Sequence, residues 1–201
     1  NKHPLLLTRG VPGTHDIQLM VNLFKKVKKN TFRSINIPKF DKSIDDRCKK
    51  NNWFKLKKKP DILIFEGWCV GAKPEGGRSL NRPINVLEKN ADKKKIWRSY
   101  VNNQLKSKYS KLFDQLDSLL YLKAKNFKLL KRWRLKQEKK LKMKSGTKKN
   151  SKIMNEKEVE TFMMTYQRIT QNMFKNAPKY SSAVIDLNEN HQIKKVKFKH
   201  A

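Results

Sequence analysis

The stretch Pro60-Asp61-Ile62-Leu63-Ile64-Phe65-Glu66-Gly67-Trp68 decides how the chain folds. Its four consecutive apolar residues predict a strand buried on both faces, as in a parallel sheet, and Gly67 lets the backbone turn sharply off its end. An acid immediately past such a strand sits where open α/β sheets hold ligands. In phosphoryl-transfer enzymes an acid in that place holds Mg²⁺ or orients the attacking hydroxyl, because the metal bridges phosphates whose charge the protein must offset. Glu66 is accordingly the first candidate for a catalytic, metal-side carboxylate. An acid that only caps the following turn fits the run equally well.

Outward from this run, strands and helices alternate. On the N-terminal side, Asn1 to Gly13 contains Pro4, Gly10, Pro12 and Gly13 and reads as a shaped loop. Thr14 is placed to cap a helix on which Ile17, Met20, Val21, Phe24 and Val27 recur at helical spacing. Ile35 to Pro38 predicts a short strand, and Asp45 to Lys59 a polar excursion. On the C-terminal side, Asp92 can cap a helix carrying Ile96, Trp97, Tyr100, Val101 and Leu105. Ser118 to Lys123 predicts a strand, and Asn126 caps a basic helix to about Met143. Lys144 to Lys152 has the composition of a mobile loop. Asn155 with Glu158 makes a capping-box start for a helix bearing Val159, Phe162, Met163, Tyr166, Ile169 and Met173. Ala183 to Leu187 predicts a further strand, followed by a basic, weakly structured tail. This alternation is the pattern of an α/β layer fold with a mostly parallel sheet.

The 201 residues suffice for one domain with a sizeable core. The longest apolar runs are too short to span a bilayer, and no charged-then-apolar leader follows Asn1, so a soluble, cytoplasmic protein is expected. Cys48 and Cys69 lack metal-ligand or redox spacing, which fits free thiols in a reducing compartment. The formal charge of +32 raises the alternative of a nucleic-acid-binding protein without catalysis. Its basic residues, however, recur in every segment, from Lys25 and Lys26 through Lys57 to Lys59 and Lys139 to Lys144 to the last residues, mostly as lysine. A specific nucleic-acid interface would concentrate them on one face with interleaved aromatics.

Three further segments carry chemistry. Thr8-Arg9-Gly10-Val11-Pro12-Gly13-Thr14-His15-Asp16 puts a cation, two glycines and a polar trio before a helix, where amides and the helix N-terminus favour an anion and Arg9 can clamp a carboxylate or phosphate. An ordinary capped loop, with Asp16 complementing the helix dipole, is the plainer reading. Asp41-Lys42 follows a predicted strand and could face the ligand crevice, although such pairs are common on surfaces. Arg132-Trp133-Arg134 with Gln137 and Glu138 could form a lid bringing a guanidinium to transferring phosphates, or Arg134 and Glu138 could simply pair one helical turn apart. His3, His191 and His200 have no partner at catalytic or metal spacing.

Taken in order, His3-Pro4-Leu5-Leu6-Leu7-Thr8-Arg9-Gly10-Val11-Pro12-Gly13-Thr14-His15-Asp16, Ile37-Pro38-Lys39-Phe40-Asp41-Lys42 and Phe65-Glu66-Gly67-Trp68-Cys69-Val70-Gly71 closely resemble D-glycerate 3-kinase and its bacterial kinase-like relatives. Trp97-Arg98, Trp133-Arg134-Leu135 and the Phe162 to Thr170 helix resemble that family too. The resemblance implies a P-loop kinase, related in fold to uridine kinase and phosphoribulokinase, that transfers the γ-phosphoryl group of ATP to a small hydroxy acid with Mg²⁺. It implies catalytic roles for Glu66, Asp41 and Arg134. Glu66 becomes the Walker-B-type acid near the metal, and Arg9, Thr14, His15, Asp16 and Lys42 the substrate side. Residues 1–201 would form one incomplete kinase domain, with a lid within 124–152 and a basic tail over 189–201.

One departure from the family is large. A phosphate loop needs glycines followed by Lys and Ser or Thr, and Gly76-Gly77-Arg78-Ser79 lacks both the first glycine and the lysine. The family's loop precedes the His-Pro-Leu-Leu region, so it is expected upstream of Asn1. Its strand would belong inside the sheet, between the Glu66 strand and the Leu119 strand, and its absence would leave a gap lined with apolar residues. The fragment alone is then expected to be inactive. A degenerate, non-catalytic relative is the remaining alternative.

Overall fold

The computed structural model describes residues 3–7, 9–29, 32–41, 46–145 and 153–199. The first helix, α1 (Ile17–Lys29), buries Ile17, Val21, Phe24 and Val27, the stripe its sequence predicts. Its cap differs from expectation. Asp16 Oδ1 accepts the Leu19 N–H at 3.1 Å, while Thr14 closes its own loop, with Oγ1 accepting from Gly10 N at 2.8 Å and donating to Val11 O at 2.7 Å. Asp16 lies one residue before the helix, the place from which a side chain reaches the free amides of the first turn.

Four short strands follow: β1 (Ile35–Ile37), β2 (Phe40–Asp41), β3 (Asp46–Arg47) and β4 (Phe54–Leu56). They form two small antiparallel ladders, β1 with β4 and β2 with β3. The segment expected as a polar excursion therefore supplies strand partners, and β1 is no part of the parallel sheet.

Helices α2 (Val86–Ala91) and α3 (Ile96–Gln104) come next, and α3 continues through a π-helical turn, Leu105–Tyr109, into α4 (Ser110–Phe113). Asp92 acts at the start of α3 as expected, its two oxygens accepting from Trp97 N and Arg98 N at 2.9 and 3.1 Å. After β5 (Leu120–Lys123), helix α5 (Phe127–Ser145) is capped by Asn126, whose Oδ1 accepts from Leu129 N at 2.9 Å. The longest element, α6 (Glu156–Tyr180), opens with the expected capping box of Asn155 and Glu158. Strand β6 (Ala183–Leu187) lies parallel to β5, and β7 (Ile193–Phe198) antiparallel to β6. The tail expected to be weakly structured thus holds a strand, whose backbone pairs with β6 while its side chains stay exposed.

Helix α6 is the spine of the core. Val159, Met163, Tyr166, Ile169, Met173 and Ala177 form one buried stripe that packs with Trp97, Val101, Leu105 and Leu112 from the α3–α4 run and with the buried face of α1. Each large side chain so buried is worth about 1.5–3 kcal/mol. Polar anchoring fixes the rest: Arg168 of α6 grips Glu88 with paired hydrogen bonds of 2.8 and 2.6 Å and also reaches Glu75 at 3.1 Å.

The decisive segment is the main correction. Residues 61–66 run without strand hydrogen bonding, and Ile62 and Ile64 are 79% and 84% exposed. A strand needs a partner for its amides and carbonyls, and among the described residues none lies beside this one; Phe65 is tied in, edge-on to Phe24 of α1 at 5.3 Å between centroids. Leu120 and Leu122 of β5 are likewise 60% and 61% exposed.

Candidate active site

Segment 60–70 and the strand β5 form walls of a cleft of about 1760 Å³, which α5 also lines through Trp133, Arg134, Gln137 and Lys140. The cleft follows from the unpaired edges just described: apolar side chains stand out from both walls where a sheet would normally continue. Glu66 lines this cleft and is exposed. It is therefore accessible to a ligand, at the end of an extended segment and not of a paired strand.

Tyr166 of α6 joins the motifs. Trp68 stacks on its ring at 4.7 Å between centroids and donates its indole N–H to Thr170 Oγ1 at 2.9 Å. Gly10 lies so close that a Cβ there would come within 2.1 Å of the Tyr166 hydroxyl oxygen. The loop bearing Arg9 and the segment bearing Glu66 thus meet at one side chain. Phe162, one turn earlier on α6, contacts the Tyr166 ring and carries the Arg134 guanidinium over its face, 5.1 Å from the centroid. Burial, with Cys69 nearby, raises the Tyr166 hydroxyl pKa well above its ordinary value, while the charges of Arg134 and Arg9 pull it the other way. Both guanidiniums therefore act on the same hydroxyl.

Arg9 sits over the Phe40 ring, 3.5 Å from its centroid, which brings β2 and the half-buried Asp41 to the Arg9 loop. Lys42 lies outside the described residues. Thr14 is occupied in closing the loop. Asp16 is occupied in capping α1 and pairs with Arg47 at 3.1 Å. His15 faces solvent on one side and bonds through Nδ1 to the Tyr109 hydroxyl at 2.7 Å. Burial first, and the Arg9 charge second, lower its pKa from 6.5.

Arg134 and Glu138 do pair, but not as an exposed couple on a helix surface. Glu138 is only 5% exposed and also accepts the Met154 N–H at 3.0 Å, while Arg134 Nη1 donates to Gln137 at 2.7 Å. The Arg134 Nε is buried with no hydrogen-bond partner among the described residues. The loop following α5, where the sequence places a mobile part of the lid, falls largely on residues 146–152, outside the described residues. Helix α5 itself is tied down: Trp133 donates to Glu189 O at 2.9 Å and stacks on His191 at 4.1 Å.

Tyr166 and Tyr109 were not legible as site residues, because a buried aromatic at helical spacing is what any core helix carries. The glycines opposite them were the available signal, since Gly10 is where the loop backbone meets Tyr166, and Gly13 is where it meets Tyr100 and bonds the Tyr109 hydroxyl. Among the described residues no group of three or more His, Cys, Asp or Glu is placed to hold a metal. A Mg²⁺ here would fit the chemistry of a single carboxylate, Glu66, with water and phosphate oxygens completing its shell. No helix among the described residues is long and apolar enough to cross a membrane.

No protein-family model matches the chain. Among curated proteins it is 33% identical over 170 residues to the uncharacterized kinase mug58 of Schizosaccharomyces pombe, covering 82% of this chain and 58% of that protein. It is 26% identical over 140 residues to the chloroplastic D-glycerate 3-kinase of Arabidopsis thaliana, covering 67% of this chain and 28% of that protein. Among solved structures, D-glycerate 3-kinase from Cryptococcus neoformans superposes with a TM-score of 0.79 at 24% identity, over 98% of this chain and 71% of that one. The chain spans less than two thirds of the length of either curated relative. Its relatives are thus D-glycerate 3-kinase and a kinase of unassigned substrate, and its α/β fold is that of D-glycerate 3-kinase.

Proposed function

We propose that this chain is part of an ATP-dependent kinase that transfers the γ-phosphoryl group to a small hydroxy acid, D-glycerate first among candidates. The observation that supports it best is the junction at Tyr166, where the Arg9 loop, the Glu66 segment and the Arg134 helix come together beside an open cleft. Phosphoryl transfer asks mainly for positioning and charge stabilisation. Arg9 supplies a fixed cation for a carboxylate or phosphate. Arg134, half-buried and with its Nε–H unpartnered among the described residues, supplies a second. Glu66 offers a hard oxygen ligand, and bound Mg²⁺ would neutralise charge between the phosphates.

The cleft has a place in this reading. The exposed apolar residues of segment 61–66 and β5 face a space that a further strand and its following helix would fill. In this proposal an upstream segment of the polypeptide occupies it and carries the phosphate-binding loop. Without that segment the ATP phosphates have arginines and a metal-side acid but no cradle of amides, so the 201 residues alone are inactive. The test is a coupled ATP-consumption assay on a polypeptide extended upstream, with Mg²⁺ and a panel of small hydroxy acids. D-glycerate-dependent consumption is expected. No ATP consumption with any hydroxy acid would set the reading aside in favour of a non-catalytic relative.

A further inference from the structure

The loop that carries Arg9 is held by a tyrosine that no motif predicts. Tyr109 ends the π-helical turn between α3 and α4 and is almost wholly buried. Its hydroxyl accepts the Gly13 N–H at 3.0 Å and lies 2.7 Å from His15 Nδ1. Tyr100, from the same helical run, donates to Gly13 O at 3.3 Å. Gly13 has φ +102° and no room for a Cβ, which would lie 2.5 Å from Tyr100 Cε1. The loop is therefore clamped on both its amide and its carbonyl.

The π turn explains how Tyr109 gets there. Trp97, Val101, Leu105 and Tyr109 are all buried at a spacing of four residues. In an unbroken α-helix each such step drifts by about 40° around the axis, so the fourth would leave the face of the first. The wider turn over Leu105–Tyr109 absorbs that drift and keeps Tyr109 aimed at the loop. Turns of this kind recur at functional sites.

Hydrogen counting then fixes the histidine. A tyrosine hydroxyl has one hydrogen to give. The Gly13 amide can only donate, so the hydroxyl oxygen accepts there, and its own hydrogen goes to His15 Nδ1. If Nδ1 carried the proton instead, the buried Tyr109 hydrogen would lose this acceptor. We propose that Tyr109 is a positioning residue that holds His15 as the neutral tautomer with its proton on Nε2, so that His15 offers a substrate oxygen a hydrogen-bond donor beside Arg9 and is not the general base. The charged and titratable groups facing the imidazole fit this assignment. Arg9 disfavours the imidazolium, the Tyr109 hydroxyl is pushed up to about 12 by burial and stays protonated, and Asp16 is engaged with Arg47.

What His15 holds rests on the kinase reading, but the tautomer does not. The direct test is long-range ¹H–¹⁵N correlation of the imidazole nitrogens in the longest natural polypeptide that carries this chain, with His15→Gln used to assign the signal. The expected pattern is a protonated Nε2 and an unprotonated Nδ1 from pH 6.5 to 8.5. Tyr109→Phe, which keeps the ring, should mix the two tautomers and move the His15 titration midpoint upward. A protonated Nδ1 in the parent, or tautomer populations unchanged in Tyr109→Phe, would overturn the proposal whether or not the protein turns over ATP. In an active kinase, Tyr109→Phe should raise KM for the acceptor several-fold while kcat stays within about twofold. A kcat loss tracking protonation of His15 as the pH falls would make His15 the base and contradict it.

Discussion

If the cleft beside β5 is the seat of an upstream strand and helix, then Leu120 and Leu122 should behave as core residues in a longer polypeptide although they stand in the open here. The double substitution Leu120→Thr with Leu122→Thr isolates this, because threonine is β-branched and suits a strand while removing most of the apolar surface. The two side chains are 60% and 61% exposed. Full burial of a leucine is worth about 1.5–3 kcal/mol, so each has about 1–2 kcal/mol still to gain when the cleft is filled. The pair should then cost about 2–4 kcal/mol in a polypeptide extended upstream. Phe198→Thr on β7 is the internal control: Phe198 is 70% exposed and lies away from the cleft, so its loss should stay within about 1 kcal/mol. Urea denaturation of the extended protein and its variants reads both numbers from the midpoint at a fixed slope. A double variant no more destabilised than the control would refute the seat.

Other expectations follow from buried groups. Gly13→Ala forces an L-residue to φ +102° and places a Cβ 2.8 Å from Gln104 Cγ as well as against Tyr100, so it should lower stability by about 2 kcal/mol or more in thermal denaturation. Glu88→Gln removes the fully buried negative charge facing Arg168 and leaves Glu75 as its remaining carboxylate, so it should cost about 1.5–3 kcal/mol, seen as a shifted urea midpoint. Burial pushes the Cys69 thiol up to about 12, so this cysteine should resist alkylation at pH 8 in the folded protein and react once urea unfolds it, as mass spectrometry of labelled peptides would show.

How much of this was legible depended on whether the signal was local. The helices α5 and α6 and the strands β5 and β6 stand where their sequence puts them, because Asn126, Asn155 and Glu158 supply caps and β5 and β6 can pair with each other. Segment 61–66 failed as a strand for a non-local reason: four apolar residues state a preference, but a ladder needs a neighbour with free amides. Strand β7 was missed because its run is rich in lysine and has no regular apolar alternation, and what makes it a strand is backbone pairing with β6. Around the site, Arg9, Glu66 and Arg134 could be singled out by residue type and order. Their meeting at Tyr166, the Tyr109 clamp and the burial of Glu138 depend on how α3 to α6 pack, and no run of residues displays that.

The central claim is that Glu66, which lines the cleft, is the metal-side carboxylate. The measurement that tests it most directly is transfer of labelled γ-phosphate from ATP to D-glycerate, with Mg²⁺, by a polypeptide extended upstream and by its Glu66→Gln variant, with the melting temperature of each recorded. Glutamine keeps the volume and removes the charge, and Glu66 is exposed, so the account predicts matching melting temperatures with turnover reduced at least a hundredfold. Equal transfer by parent and variant would contradict it.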